Sequence, residues 1–318
     1  LGLLGKERKK LVDSKEIKAV KERFDNWSQS VNVLLNEEGT GYIVKGDERV
    51  PEEIVDGKGD EHPFVLPRVT GLIDSVIHKG DGFYTRLPLI QAIEHMKTQY
   101  PRLQGGTTVE EYEDILMEAS GMSTVKMEES ASFGIRVHSI LEDIYNSGMD
   151  KYRHDSTIVI HKGKGGYASE YRPAIDAWYE WMENSGLHPI ASEQGLYYHD
   201  ESSSNAPISF AGKADLIAID DDGVPVIVDY KTGKQHMNHA LQLSAYSLAL
   251  SYCGIGKFLD TSAASKVRAI ALYLPKEEGT DIKVREVRHT LSQQQVFLYV
   301  CKLRQWQAGR SKWASKRG

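Results

Sequence analysis

Residues Phe210–Thr232, FAGKADLIAIDDDGVPVIVDYKT, set two apolar runs on either side of the polar turn Asp220–Asp221–Asp222–Gly223. That pattern predicts strand, tight turn and strand. With Asp221, Asp222 and Gly223 as the loop, Asp220 pairs with Val224, and Asp215 falls directly opposite Asp229. Directly opposed residues share a face, with Cβ atoms roughly 5 Å apart. Lys231 lies two residues beyond Asp229 and projects from that same face. Two carboxylates can then hold one hard cation, with an ammonium beside them. A loop shorter by one residue would turn Asp229 to the opposite face and undo the arrangement.

Two helices are predicted to accompany the hairpin. Phe133–Tyr145, FGIRVHSILEDIY, carries apolar residues at Ile135, Ile140, Leu141 and Ile144, an amphipathic pattern. Gly134, His138 and Glu142 are spaced by four and share a face. A glycine inside a helix costs roughly 1 kcal/mol against alanine, so its presence suggests a close backbone approach. Taken alone, His138 reads as a structural histidine. After the hairpin, His239–Tyr252 predicts a helix with Leu241, Ala245, Leu248 and Ala249 packing on the sheet, and with Gln242 and Tyr246 one turn apart.

GKAD (Gly212–Asp215), VDYKTG (Val228–Gly233) and QLSAY (Gln242–Tyr246), with Gly134-x-x-x-His138 upstream, resemble the PD-(D/E)XK nuclease superfamily in its RecB-like branch. Phage-encoded members and the mitochondrial genome maintenance exonuclease are nearest in look. Ala214 stands where a proline usually precedes the first aspartate, and Asp229 stands where many relatives carry glutamate. The resemblance covers roughly residues 63–307. It implies an α/β fold, a mixed central β-sheet flanked by helices with a restriction-endonuclease-like core, and a mainly helical N-terminal extension. The domains expected are an extension and linker over 1–62, the nuclease over 63–308 and a basic tail over 309–318.

The resemblance also implies roles. His138 joins Asp215, Asp229 and the backbone carbonyl of Tyr230 around Mg²⁺ or Mn²⁺, a mostly oxygen site in which one imidazole slightly favours Mn²⁺. The cation polarises a phosphate oxygen and lowers the pKa of bound water, and Lys231 orients that water or neutralises developing charge. Gln242 and Tyr246 hold the active site and contact the DNA backbone. Glu142 is a surface or supporting carboxylate. Glu193, in the predicted strand Ile190–Tyr198, either touches the metal through water or pairs with a neighbouring base.

Composition limits the alternatives. The chain has 318 residues, room for one large domain or a domain with an extension, and a formal net charge of −6. An acidic balance does not advertise nucleic-acid binding, so a local basic surface is required. Only Cys253 and Cys301 occur, which excludes a disulfide framework, a four-cysteine zinc site and an iron–sulfur cluster within the chain. No apolar run approaches the roughly 20 residues of a membrane span, and no secretory signal is visible. The expectation is an intracellular, soluble protein: bacterial or host cytoplasm if phage-encoded, mitochondrial or nuclear if eukaryotic. The chain opens on Leu1 rather than methionine, so a native leader, targeting peptide included, is allowed for ahead of it.

Elsewhere the signals are weaker. Residues 4–35 predict a helix whose lysines and arginines form either a solvated face or a DNA contact. Residues 36–62 predict a strand or two and a loop. The order proline, Val69-Thr70 and an apolar helix resembles the segment that packs near the active site in the phage and mitochondrial relatives; from the residues alone, Thr70 reads as a helix N-cap. Helices are expected near 87–99 and 105–128. The basic glycine-rich loop 161–166, with Lys162 and Lys164, lacks the P-loop spacing and reads as a connection within reach of phosphates. From Arg288 onward there is no acidic residue. Arg304, Trp306, Arg310 and Trp313 there form either a phosphate-and-stacking surface or a disordered tail.

The function expected is a metal-dependent DNA exonuclease acting on single-stranded or flapped ends in replication, repair or recombination. A structure-selective endonuclease, a catalytically inactive nucleic-acid-binding module of the same fold and a small-phosphoester hydrolase are the competing readings.

Overall fold

The turn at Asp220 closes through its own side chain. Asp220 Oδ1 accepts from the amides of Asp222 (3.0 Å) and Val224 (2.8 Å). The Asp220 amide donates to Val224 O, and Gly223, at φ +78°, donates back to Asp220 O. Aspartate mimicking a backbone turn, and a glycine supplying the left-handed residue, are local chemistry that the sequence carries by itself.

The computed structural model describes residues 14–55, 58–76, 129–148, 169–201, 207–254, 267–287 and 290–315. In chain order these form α1 (Ser14–Ser30), β1 (Asn32–Leu35), β2 (Gly41–Lys45), β3 (Glu53–Val55), β4 (Glu61–Pro63), β5 (Leu66–Pro67) and α2 (Val69–Val76). Next come α3 (129–147), a 3₁₀ turn at Ser169–Tyr171, α4 (Arg172–Asn184), β6 (Leu187–Asp200), β7 (Ile208–Asp220) and β8 (Pro225–Lys231). The chain closes with α5 (Met237–Tyr252), β9 (Arg268–Tyr273), β10 (Lys283–Glu286) and α6 (Thr290–Ser315).

The central sheet has the order β10-β9-β8-β7-β6. The β6–β7, β7–β8 and β9–β10 pairs are antiparallel, and β8–β9 is parallel. The parallel pair needs a crossover, and α5 supplies it. This is the mixed sheet flanked by helices that the motifs predict. Side chains alternate between its two faces. Leu216, Ala218, Val226 and Val228 pack with Val137, Ile140, Leu141 and Ile144 of α3 and Trp178 of α4. Ile217, Ile219 and Ile227 face the other way, with Leu241, Ala245 and Ala249 of α5 and Phe297 of α6. Because helices cover both faces, β8 is buried along almost its whole length.

The N-terminal extension holds the predicted helix, but α1 ends at Ser30, not near residue 35. Asn32–Leu35 pairs antiparallel with Tyr42–Lys45 across a turn in which Asn36 Oδ1 accepts from the amides of Thr40 and Gly41. Val31 and Leu34 continue the helical period in sequence, yet a turn-forming Asn36 and a waiting partner strand win locally. This small sheet docks on β6. Val33 fills the space where a side chain at Gly195 would sit, its Cβ being 2.6 Å from an ideal Cβ there. Arg49 pairs with Asp47 at 2.6 Å, donates to Tyr252 O at 3.0 Å and stacks 4.5 Å from the Tyr252 ring, while Tyr197 donates to Asp47.

α6 runs on through Ser315, into the 309–318 span expected as a basic tail. Among the described residues, no helix is long and apolar enough to cross a membrane.

Candidate active site

The β7–β8 register is the one the turn predicts: Leu216 opposes Val228 and Ile219 opposes Pro225. The ladder stops at Leu216–Val228, one pair short of Asp215 and Asp229. Beyond it β7 follows β6, out to Asp200–Ile208, while β8 follows β9, out to Lys231–Tyr273. The two strands fork. The amide of Tyr230, which has lost its ladder partner on β7, donates instead to Asp215 Oδ2 at 2.6 Å. Asp215 is thus fixed by a charge-assisted bond across the fork.

The fork also joins the two faces of the sheet. α3 packs on the face of Tyr230, and α5 on the opposite one. His138 reaches into the gap from α3. Its Nε2 donates to Tyr230 O at 3.0 Å, and its Nδ1 lies 3.4 Å from Asp215 Oδ1. Gly134, one turn earlier, explains the close approach: a Cβ there would stand 3.0 Å from Thr232 Oγ1. From the other side, Gln242 Nε2 donates to Asp229 Oδ1 (3.3 Å) and to the Tyr246 hydroxyl (3.1 Å), and Gln242 Oε1 accepts from Lys231 Nζ (3.3 Å). Tyr246 is buried, and its ring lies against Gly212, where a Cβ would meet Tyr246 Cε1 at 2.4 Å.

Glu193 completes the group. On β6, Ser192 opposes Leu216 and Gln194 opposes Ala214, so Glu193 stands across from Asp215. It has φ +51°, the left-handed region, and is the one non-glycine residue among those described with positive φ. A conformation that costs about 1–3 kcal/mol persists only where surroundings enforce it, and such residues cluster at functional sites. Glu193 Oε1 is 4.0 Å from His138 Nδ1, and Glu193 Oε2 is 2.9 Å from Lys213 Nζ.

Charge is concentrated here. Burial by itself would lower the His138 pKa, but the adjacent Asp215 carboxylate overrides it and raises the imidazole to about 9. Burial pushes Asp215 up, yet the His138 charge, Lys231 and the Tyr230 amide hold it below the usual carboxylate range. Asp229 is pushed up to about 6 by burial and by Asp215, against the pull of Lys231 2.6 Å away. Lys231 is raised because Asp229 and Asp215 outweigh its desolvation. Glu193 is raised by burial and Asp215, partly offset by Lys213.

Ligand atoms of His138, Glu193 and Asp215 all lie within 4.8 Å of one another. Two atoms bound to one hard cation are separated by at most about twice a 2.1–2.5 Å bond, and one imidazole with carboxylate oxygens suits a divalent cation. The residues fit such an ion. Asp229 stands outside that trio, its carboxylate taken by Lys231 and Gln242, and the Tyr230 carbonyl is engaged by His138. Glu142, on the His138 face of α3, is half-buried and lends its charge to Lys213. Arg304 and Trp306 are exposed on α6; Arg310 and Trp313 belong to its last turns. Lys162 and Lys164 lie outside the described residues.

Two features escaped the motif reading. Lys213 sits inside GKAD without an assigned role, although strand alternation alone puts it on the Asp215 face. A pocket of about 150 Å³ opens beside Lys231 between α2 and the start of α5, lined by Thr70, Ile73, Asp74, His236, Asn238 and Gln242. Among the described residues, the buried side-chain amide of Asn238 has no hydrogen-bond partner. The pocket forms between elements far apart in the chain, so neither segment's sequence gives its lining by itself.

Across its second half and more, residues 111–312, the sequence matches the PD-(D/E)XK nuclease superfamily. The chain belongs to that superfamily. Metal-dependent cleavage of nucleic acid is the chemistry of that superfamily, and the ligand atoms of His138, Glu193 and Asp215 are close enough to share one divalent cation. No curated protein matches the chain significantly. Among solved structures, the crystal structure of SSO0001 is similar over 41% of this chain and 57% of that one, at 14% identity and a TM-score of 0.27. The chain therefore spans a little over half the length of that protein.

Proposed function

We propose that this PD-(D/E)XK protein is a Mg²⁺- or Mn²⁺-dependent deoxyribonuclease of the RecB-like branch, an exonuclease working on single-stranded or flapped DNA ends. The observation that carries the reading is the row of acids across three adjacent strands, Glu193, Asp215 and Asp229, with His138 on one side and the Lys231–Gln242 pair on the other.

His138, Glu193 and Asp215 would hold the cation, with Asp229 and the Tyr230 carbonyl adjoining. When bound, the cation supplies charge neutralisation at the phosphate and a more acidic water. The chain's own residues do the rest. Lys231, protonated and steered by Gln242 Oε1 and Asp229, presents an ammonium to the water or to the charge developing on phosphorus. Asp229, pushed up to about 6, can exchange a proton near neutrality. Tyr246 and Gly212 hold Gln242 against the sheet.

The branch and the end preference rest on the Gly134-x-x-x-His138 and Gln242-x-x-x-Tyr246 elements and on α2, whose Thr70 and Asp74 line the pocket beside Lys231. Exposed Arg304 and Trp306 on α6 offer a phosphate and stacking contact for an unpaired strand. The test is purified protein with end-labelled single-stranded, duplex and circular DNA, each with and without Mn²⁺. An exonuclease degrades the linear strands and leaves the circle intact. Cleavage of the circle turns the assignment to an endonuclease, and no cleavage of any substrate turns it to a binding module.

A further inference from the structure

Lys213 stands two residues before Asp215 on β7 and projects from the same face. Extending the hairpin register past Leu216–Val228 sets Lys213 across from Lys231, just as it sets Asp215 across from Asp229. Two lysines thus border the acids at the open end of the fork, in different states. The Lys231 side chain is 19% exposed and clasped by Asp229 and Gln242. The Lys213 side chain is 47% exposed and rests on Glu193 Oε2 at 2.9 Å.

Glu193 is shared. One of its oxygens holds Lys213, and the other faces His138 and belongs to the trio that fits a divalent cation. A cation seated there would draw on the same carboxylate charge and repel the neighbouring ammonium. A half-exposed lysine pair is a weak anchor, so the exchange is easy. The released ammonium, on a flexible stem at the mouth of the site, is suited to a phosphate oxygen.

We infer that Lys213 is a metal-gated substrate grip: it stays on Glu193 while the cation site is empty and moves to a nucleic-acid phosphate next to the scissile one once a cation takes that carboxylate. This rests on the nuclease reading of the same site. It makes cation and nucleic-acid binding mutually reinforcing through one side chain.

The test is binding, not turnover. A fluorescent single-stranded oligonucleotide is titrated by anisotropy in chelator and in Ca²⁺, and Ca²⁺ affinity is measured separately by calorimetry. The wild type should bind the oligonucleotide more tightly with Ca²⁺. Lys213→Met should lose about tenfold of that gain, change little in chelator, lower the salt slope in Ca²⁺ by about one, and bind Ca²⁺ more tightly. Lys213→Arg should restore the gain. Glu193→Gln frees the lysine without a cation, so its chelator affinity should rise, and the rise should vanish in the Glu193→Gln, Lys213→Met double variant. An unchanged Ca²⁺ gain in Lys213→Met, an equal loss with and without Ca²⁺, or a rise that survives in the double variant overturns the inference and leaves the nuclease reading standing. A wild type that binds neither Ca²⁺ nor oligonucleotide overturns both.

Discussion

The amide of Tyr230 donates to Asp215 Oδ2 at 2.6 Å across a gap that the β7–β8 ladder no longer bridges. That bond keeps the first acid in place where two strands part. It also leaves the opposite carboxylate oxygen, Oδ1, toward His138. The candidate site is therefore built at the end of a hairpin and not on its flat face.

Lys231→Ala should lower cleavage roughly 100- to 1000-fold, the effect of deleting one electrostatic stabiliser. The fold should survive, because Asp229, with its pKa already near 6, can take up a proton when its partner is gone. Circular dichroism with single-turnover kinetics checks both halves. Wild-type turnover in the variant would remove Lys231 from the mechanism.

Divalent cation should stabilise the protein as well as activate it. At a hundred times its dissociation constant, a ligand adds about 2.7 kcal/mol to folding, or about 5 °C in melting temperature for a domain of this size. Excess chelator should abolish both cleavage and the thermal shift, and Mn²⁺ should restore them. Asp215→Asn should lose most of the shift; a full shift in that variant places the cation elsewhere.

Gly212→Ala should be more harmful than Gly134→Ala. The first puts a methyl 2.4 Å from a buried Tyr246 ring carbon, the second 3.0 Å from a threonine hydroxyl. Overpacking of the first kind costs about 1–3 kcal/mol, and it would displace Gln242 along with Tyr246. Urea denaturation and cleavage rates, measured on both variants, test the order.

The N-terminal dock has a pH signature. Burial favours the neutral acid of Asp47, but hydrogen bonds from Arg49 and Tyr197 win and lower it to about 2. A depressed carboxylate stabilises fully above its unfolded value of about 3.8 and loses that contribution as pH falls through its folded value. Asp47→Asn should therefore destabilise by roughly 1–3 kcal/mol at neutral pH. The gap to the wild type should close between about pH 4 and pH 2. Denaturant midpoints at several pH values would show it; a constant gap means Asp47 acts through shape and not charge.

Much of this protein is written locally. Asp220 and Gly223 set the loop, the loop sets the register, and the register puts Asp215 and Asp229 in neighbouring positions. The four-residue spacings of Gly134–His138 and Gln242–Tyr246 need only a helix. All of these depend on residues near one another in sequence, where chain geometry alone decides direction. Other relations depend on where β7 leaves β8, on which helix covers which face and on what the N-terminal sheet leans against. These are the left-handed turn at Glu193, the turning of Asp229 to Lys231 and Gln242, the hold of Glu193 on Lys213, and the early end of α1. They depend on how strands and helices pack, or weigh a helical period against a partner strand, so only the packed chain selects among them.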